Sequence, residues 1–113
     1  MIEQTITFDD FTKVDMRVGT VLNAEPNLAA RKAAYVLTID FGELGIKTSS
    51  AQITHHYSTD DLIGSQVIAV MNFPAKRIAG VNSEVLVLGA PDSAAQVVLL
   101  RPSTPVKNGV RIF

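Results

Sequence analysis

The residues with chemical potential in this chain are few. His55 and His56 are its two histidines. Neighbours on an extended strand point to opposite faces, so this pair is not expected to grip one metal ion. Ser49 and Ser50 lie just upstream, but no G-x-S-x-G elbow surrounds them. Asp60-Asp61 stands where a helix start favours acidic side chains. Gly42, Gly45 and Gly64 are not spaced as a phosphate loop. The chain has no cysteine, which excludes disulfides, thiol chemistry and cysteine-ligated metals. No cofactor, no metal and no enzymatic activity are expected.

Binding features are better represented. Ten basic residues stand against eleven acidic ones, so no global field draws in nucleic acid. The charges are nevertheless unevenly placed. Glu3, Asp9, Asp10 and Asp15 make the start acidic, and Arg101, Lys107 and Arg111 make the end basic. Arg31-Lys32 and Lys76-Arg77 are two further basic spots. There is no Trp, and there are only five Phe and two Tyr. Stacking platforms are the usual device for single strands, so a generic single-stranded DNA binder is not expected.

These side chains must be held by one small domain, since 113 residues bury one modest core. Apolar residues make up 47% and charged residues 19%, the balance of a globular chain. No apolar run approaches the ~20 residues that span a bilayer. Met1 to Gln4 carries no basic flank and no apolar core of a secretory signal, so a cytoplasmic protein is expected.

Thr7 with Asp10 three residues on reads as a capped helical turn. From Val14 the period becomes two, with Val14, Met16, Val18, Thr20 and Leu22 on one face and Gly19 where a bent strand needs a glycine. Glu25-Pro26-Asn27 ends this strand, and Leu28 to Ala33 is a loop. Ala34 to Phe41 is a second strand with Tyr35, Leu37, Ile39 and Phe41 on one face. Gly42 to Gly45 is a hairpin turn, and Ile46 to Ile53 a polar third strand. Ser58 caps a second helical turn that Gly64 closes. Val67 to Met71 and Val85 to Ala90 are continuous apolar strands, which implies burial on both faces by a partner subunit or a terminal extension. Pro74 breaks the chain after the first of these, and Ala75 to Glu84 links the two. Val97 to Leu100 and Val110 to Phe113 are short terminal strands. Five main strands with a helical turn between the third and fourth predict an all-β, five-stranded OB-fold barrel. The core barrel spans about residues 14–90, and the rest forms terminal extensions placed in dimer contacts.

Phe11-Thr12-Lys13-Val14-Asp15-Met16-Arg17-Val18-Gly19-Thr20-Val21 resembles the opening F-x-K-x-D-x-R-V-G-x-V/I of the stand-alone tRNA-binding domain family. Those domains are dimeric OB-folds related to appendages of aminoacyl-tRNA synthetases. Ser50 to Thr54, Leu62 to Gly64, Gln66 to Pro74 and Ser83 to Gly89 are similar to one branch of that family, the CsaA secretion chaperones. Where the tRNA-binding branch has V-S-G-I, this chain has Ser50-Ala51-Gln52-Ile53. Where that branch has S-E-G-M, it has Ser83-Glu84-Val85-Leu86, and Ala30 replaces the aspartate of an N-A-D-K loop. Glycine to valine adds bulk where backbone would approach closely, and these departures favour the chaperone branch. The resemblance implies a homodimer that binds unfolded or precursor polypeptides without ATP. It also implies the translocation ATPase as a partner, tRNA as the alternative ligand, and no membrane insertion. The expected site is a groove with an apolar floor and a basic rim, made of Arg31, Lys32, Lys47, Gln52, Lys76, Arg77, Ser83 and Leu86.

Overall fold

The computed structural model describes residues 4–113, so Glu3 of the acidic start lies outside the described residues. Both capping signals form. Thr7 caps α1 (Phe8–Thr12) and Ser58 caps α2 (Thr59–Leu62), each in a reciprocal box with the acid at the third helical position, Asp10 or Asp61. The backbone N–H of the capping residue, and then its hydroxyl, hold each carboxyl below the usual range.

The strands are β1 (Met16–Pro26), β2 (Tyr35–Asp40), β3 (Ile46–Ala51), β4 (Gln66–Val70), β5 (Lys76–Ile78), β6 (Val81–Ser83), β7 (Leu86–Val87), β8 (Gly89–Pro91) and β9 (Val97–Leu99). Among the described residues five of them form one antiparallel sheet in the order β3-β2-β1-β4-β7, and β5–β6 and β8–β9 are separate hairpins. The sheet curls until β3 meets the segment entering β7. There Glu84 N–H donates to Thr48 O (2.9 Å) and the Ser49 hydroxyl to Val85 O (3.0 Å). The result is a five-stranded, nearly closed barrel with short helical turns, the OB-fold.

The core is what the alternation of β2 dictates. Leu37, Ile39 and Phe41 are fully buried and pack with Val21, Ala24, Leu62, Val67, Ala69 and Val85. Gly19 also faces this core, and its role is packing. A Cβ there would lie 2.7 Å from Ile39 Cγ2 and from two ring carbons of Phe41.

Four sequence expectations need correction. Leu22 faces outward (46% exposed), and the register of β1 shifts between Val21 and Asn23, a bulge that turns Asn23 outward too and Ala24 inward. Thus Gly19, Val21 and Ala24 face the core, and Val18 is buried from the other side. The stretch 75–84 does not merely connect the two apolar strands but folds as the hairpin β5–β6, turned at Ala79 (φ 47°) and Gly80 (φ 82°). Two successive positive φ values make the hairpin turn that usually carries Asn-Gly. Val85 to Ala90 is not one strand. β7 pairs with β4 and β8 with β9, which leaves Leu86, Gly89 and Ala90 exposed. His55 and His56 lie in a turn rather than a strand, with their rings 5.0 Å apart.

The C-terminal segment supplies the cover expected for an outer face, though over β1. β2 pairs with β1 only from Thr20 onward, and the last residues take the edge it leaves free. Val18 N–H donates to Val110 O (3.1 Å), Gly109 N–H to Val18 O (2.7 Å) and Ile112 N–H to Met16 O (2.9 Å). Val110 to Phe113 is therefore strand-like pairing, but the bridge itself is the single pair Arg17 with Arg111.

Candidate binding cleft

The pairing of β7 with β4 carries Leu86 opposite Val70, three residues before Phe73. The hairpin β5–β6 then folds back beside both. A cleft of about 200 Å³ opens between them, lined by Phe73, Pro74, Ile78, Val85 and Leu86 with Lys76, Ser83 and Glu84 at its polar margin. Phe73 is 55% exposed and Leu86 50%, large apolar side chains facing solvent beside a cation. Arg77 follows Lys76 on β5, and both are exposed.

Three of the eight expected site residues therefore meet: Lys76, Ser83 and Leu86. Ser83 is buried at 9% exposure, and its hydroxyl accepts the Ser50 N–H (3.1 Å). It shapes the cleft from behind rather than offering itself to a ligand. Lys47 and Gln52 sit at opposite ends of β3, since Lys47 pairs with Ile39 and Ala51 with Tyr35. By strand alternation Lys47 shares the inward face of Ser49, and Gln52 lies just past the end of the strand. Arg31 and Lys32 are exposed in the loop between β1 and β2, outside the cleft. That loop and the connection carrying Lys76-Arg77 are the two that border the binding face of an OB barrel.

Sequence reasoning missed Phe73, Pro74 and Ile78 as cleft walls. Phe73-Pro74 directly after an apolar strand was the available signal, because an aromatic in a strand-ending loop has no core face to fill.

The Asp-x-Arg of the opening motif has a structural task. Asp15 Oδ1 accepts from Arg17 Nε (2.6 Å), and Arg17 Nη1 donates to Gly109 O (3.0 Å). Asp15 N–H donates to Asn72 Oδ1 (2.9 Å). The motif thus ties the start of β1 to the C-terminal segment and to the loop leaving β4. His56 Nε2 lies 2.6 Å from Asp92 Oδ2 and pins the 54–57 turn to the β8–β9 hairpin. The Asp92 carboxyl is held below the usual range, first by the Gln96 backbone N–H and then by the His56 ring. No group of three potential metal ligands gathers among the described residues.

An OB barrel with a cation-bordered apolar cleft belongs to the class of small binding domains. Comparison with known proteins narrows the class. Residues 16–111 match the family described as putative tRNA binding domain. The crystal structure of chaperone CsaA from Bacillus anthracis is 54% identical, superposes with a TM-score of 0.91, and is covered over 100% of its length by 97% of this chain. The CsaA chaperone protein from Picrophilus torridus is 47% identical with a TM-score of 0.89, covering 96% of this chain and 100% of that one. A methionine–tRNA ligase of Porphyromonas gingivalis is 36% identical over 111 residues, 98% of this chain, but the chain spans only 16% of that ligase. The chain belongs to the tRNA-binding domain family, in the branch formed by the CsaA proteins.

Proposed function

We propose that this protein is an ATP-independent, export-related chaperone of the cytoplasm that holds unfolded or precursor polypeptides in extended form. The observation that carries the reading is the cleft, where Phe73, Ile78 and Leu86 stand exposed together beside Lys76. A cleft of about 200 Å³ accommodates one or two side chains of a client rather than a folded surface. Apolar burial supplies roughly 25 cal/mol per Å² before association costs, so such a site gives weak, reversible capture. Its likeness to two CsaA chaperones supports this reading, and docking to the translocation ATPase would deliver the client. The test is a titration of a labelled, permanently unfolded polypeptide with no nucleotide present. Saturable binding that ATP leaves unchanged is expected, and a flat titration contradicts the proposal.

tRNA is the second reading. It is favoured by the family match and by the two basic loops, Arg31-Lys32 and Lys76-Arg77, at the positions where OB barrels hold nucleic acid.

The proposal includes a homodimer. Phe113 is fully exposed, and Val106 and Val110 beside it are 41% and 36% exposed around an apolar hollow of about 410 Å³ with Val18 at its base. A permanent dimer would bury more than about 2,000 Å² and include this segment. Light scattering at low micromolar concentration should give twice the 12.2 kDa chain mass. A monomer there contradicts the dimer.

A further inference from the structure

An acidic residue, Glu84, sits at the margin of the cleft near Lys76, and its carboxylate is engaged by β3. Glu84 Oε1 accepts the Thr48 backbone N–H (3.1 Å) and lies 3.2 Å from the Thr48 hydroxyl. That hydroxyl donates its one hydrogen to Asn82 O (2.7 Å). In return the Glu84 N–H donates to Thr48 O (2.9 Å). Thr48 is thus clasped by both the backbone and the side chain of Glu84.

The geometry explains why a side chain is needed there. β3 is the edge of the five-stranded sheet, and no backbone carbonyl of β6 or β7 meets the Thr48 N–H. An edge amide half-buried under a hairpin needs a partner, and the Glu84 carboxylate supplies it. The clasp also fixes what lies on either side of Glu84. β6, with Asn82 and Ser83, is tied to β3 through Thr48 and Ser50. β5 is attached to β6 alone, by the register Lys76 with Ser83, Arg77 with Asn82 and Ile78 with Val81. All three residues of β5 are exposed. One wall of the cleft, with Lys76 and the neighbouring Arg77, is therefore held through the contacts of β6 with β3, in which the clasp of Glu84 on Thr48 stands beside the Ser83–Ser50 bond.

We propose that Glu84 is the positioning residue of the binding cleft: its carboxylate clasps Thr48 and so holds the β5–β6 hairpin, with Lys76, Arg77 and Ile78, in the binding-competent place without touching the ligand. This rests on the cleft being the polypeptide site. What matters is an acceptor oxygen at that point, not a charge. Glutamine keeps the acceptor, and alanine removes it.

The test compares Glu84→Gln, Glu84→Ala and Leu86→Ala in the full chain, with a permanently unfolded polypeptide as probe and amide hydrogen exchange as the second readout. Glu84→Ala should weaken polypeptide binding about tenfold, since a mobile hairpin must be ordered on binding. It should also speed exchange of the Ile78 and Val81 amides while those of Leu37 and Ile39 keep their protection. Glu84→Gln should stay within about twofold of the unaltered protein in both readouts. Glutamine behaving like alanine, or alanine leaving hairpin exchange unchanged, overturns the proposal. Binding lost in Leu86→Ala but kept in Glu84→Ala overturns the positioning role and leaves the cleft standing. Binding unmoved by both changes removes the cleft as the site, and the positioning role with it.

Discussion

Phe41→Ala is expected to lower the free energy of unfolding by about 3–5 kcal/mol, a large share of the roughly 5–15 kcal/mol that a domain has in total. Phe41 directly follows β2 at zero exposure, and the surrounding chain is built to its ring. Gly19 stands bare beside it, because a Cβ would come within 2.7 Å of the ring carbons. Gly109 is bare for a related reason: a Cβ there would lie 2.5 Å from Phe41 O, and its φ of 91° suits glycine. Removing the ring leaves a void that backbone pairing on both sides prevents from collapsing. Gly19→Ala should itself cost roughly 1–3 kcal/mol by overpacking. In the Phe41→Ala protein that same change should cost far less, since the methyl enters the void, and a coupling of about 0.5–3 kcal/mol is expected from the cycle. Urea unfolding of the four proteins reads all of this. Additive losses would show that Gly19 and Phe41 do not share one packing site.

Leu86→Asp should be the most damaging single change to polypeptide binding. Leu86 is half exposed on a two-residue strand, so little of the core depends on it, and stability should move by no more than about 0.5 kcal/mol. In the cleft the same change replaces apolar wall with a charge that must be desolvated by any client side chain. A loss of about 30-fold or more in affinity is expected, equivalent to about 2 kcal/mol. Calorimetry with an unfolded polypeptide reads the affinity, and a heat-capacity change that is less negative in the variant would tie the loss to apolar burial. A variant that unfolds as before and binds within about twofold of the original would show that clients are held elsewhere.

Local rules made much of this molecule legible. Thr7 with Asp10 and Ser58 with Asp61 are spaced as caps, and both caps form. The apolar alternation from Tyr35 to Phe41 named the inner face of β2 because nothing interrupts its period of two. β1 was harder, since both faces carry apolar residues, Val18 and Leu22 outward against Val21 inward, and a bulge between Val21 and Asn23 then breaks the period. The hairpin β5–β6 was hidden by Ala79, which occupies a left-handed position that Asn or Gly would have advertised. The candidate site was only partly readable for another reason. Lys76 could be picked by type, and Ser83 and Leu86 from the family resemblance, but the commitment of Ser83 and Glu84 to Ser50 and Thr48, more than thirty residues away in sequence, could not. Such pairings follow from barrel closure, and no local pattern announces them. Phe73 joins Leu86 for the same reason, through the pairing of β4 with β7.

The central claim, capture of polypeptide in an apolar cleft, is tested most directly by salt. Each phosphate neutralised in an RNA complex releases counterions and adds about −0.7 to −0.9 to the log–log slope. An apolar cleft carries no such term. The measurement is the affinity for an unfolded polypeptide and for tRNA, each at about 50 and 200 mM salt. Polypeptide binding that weakens less than about threefold over that range, and exceeds tRNA binding at the higher salt, is the predicted result. Tight tRNA binding with a steep slope, flattened by about one unit in Lys76→Ala or Arg77→Ala, and no detectable polypeptide binding, would contradict it.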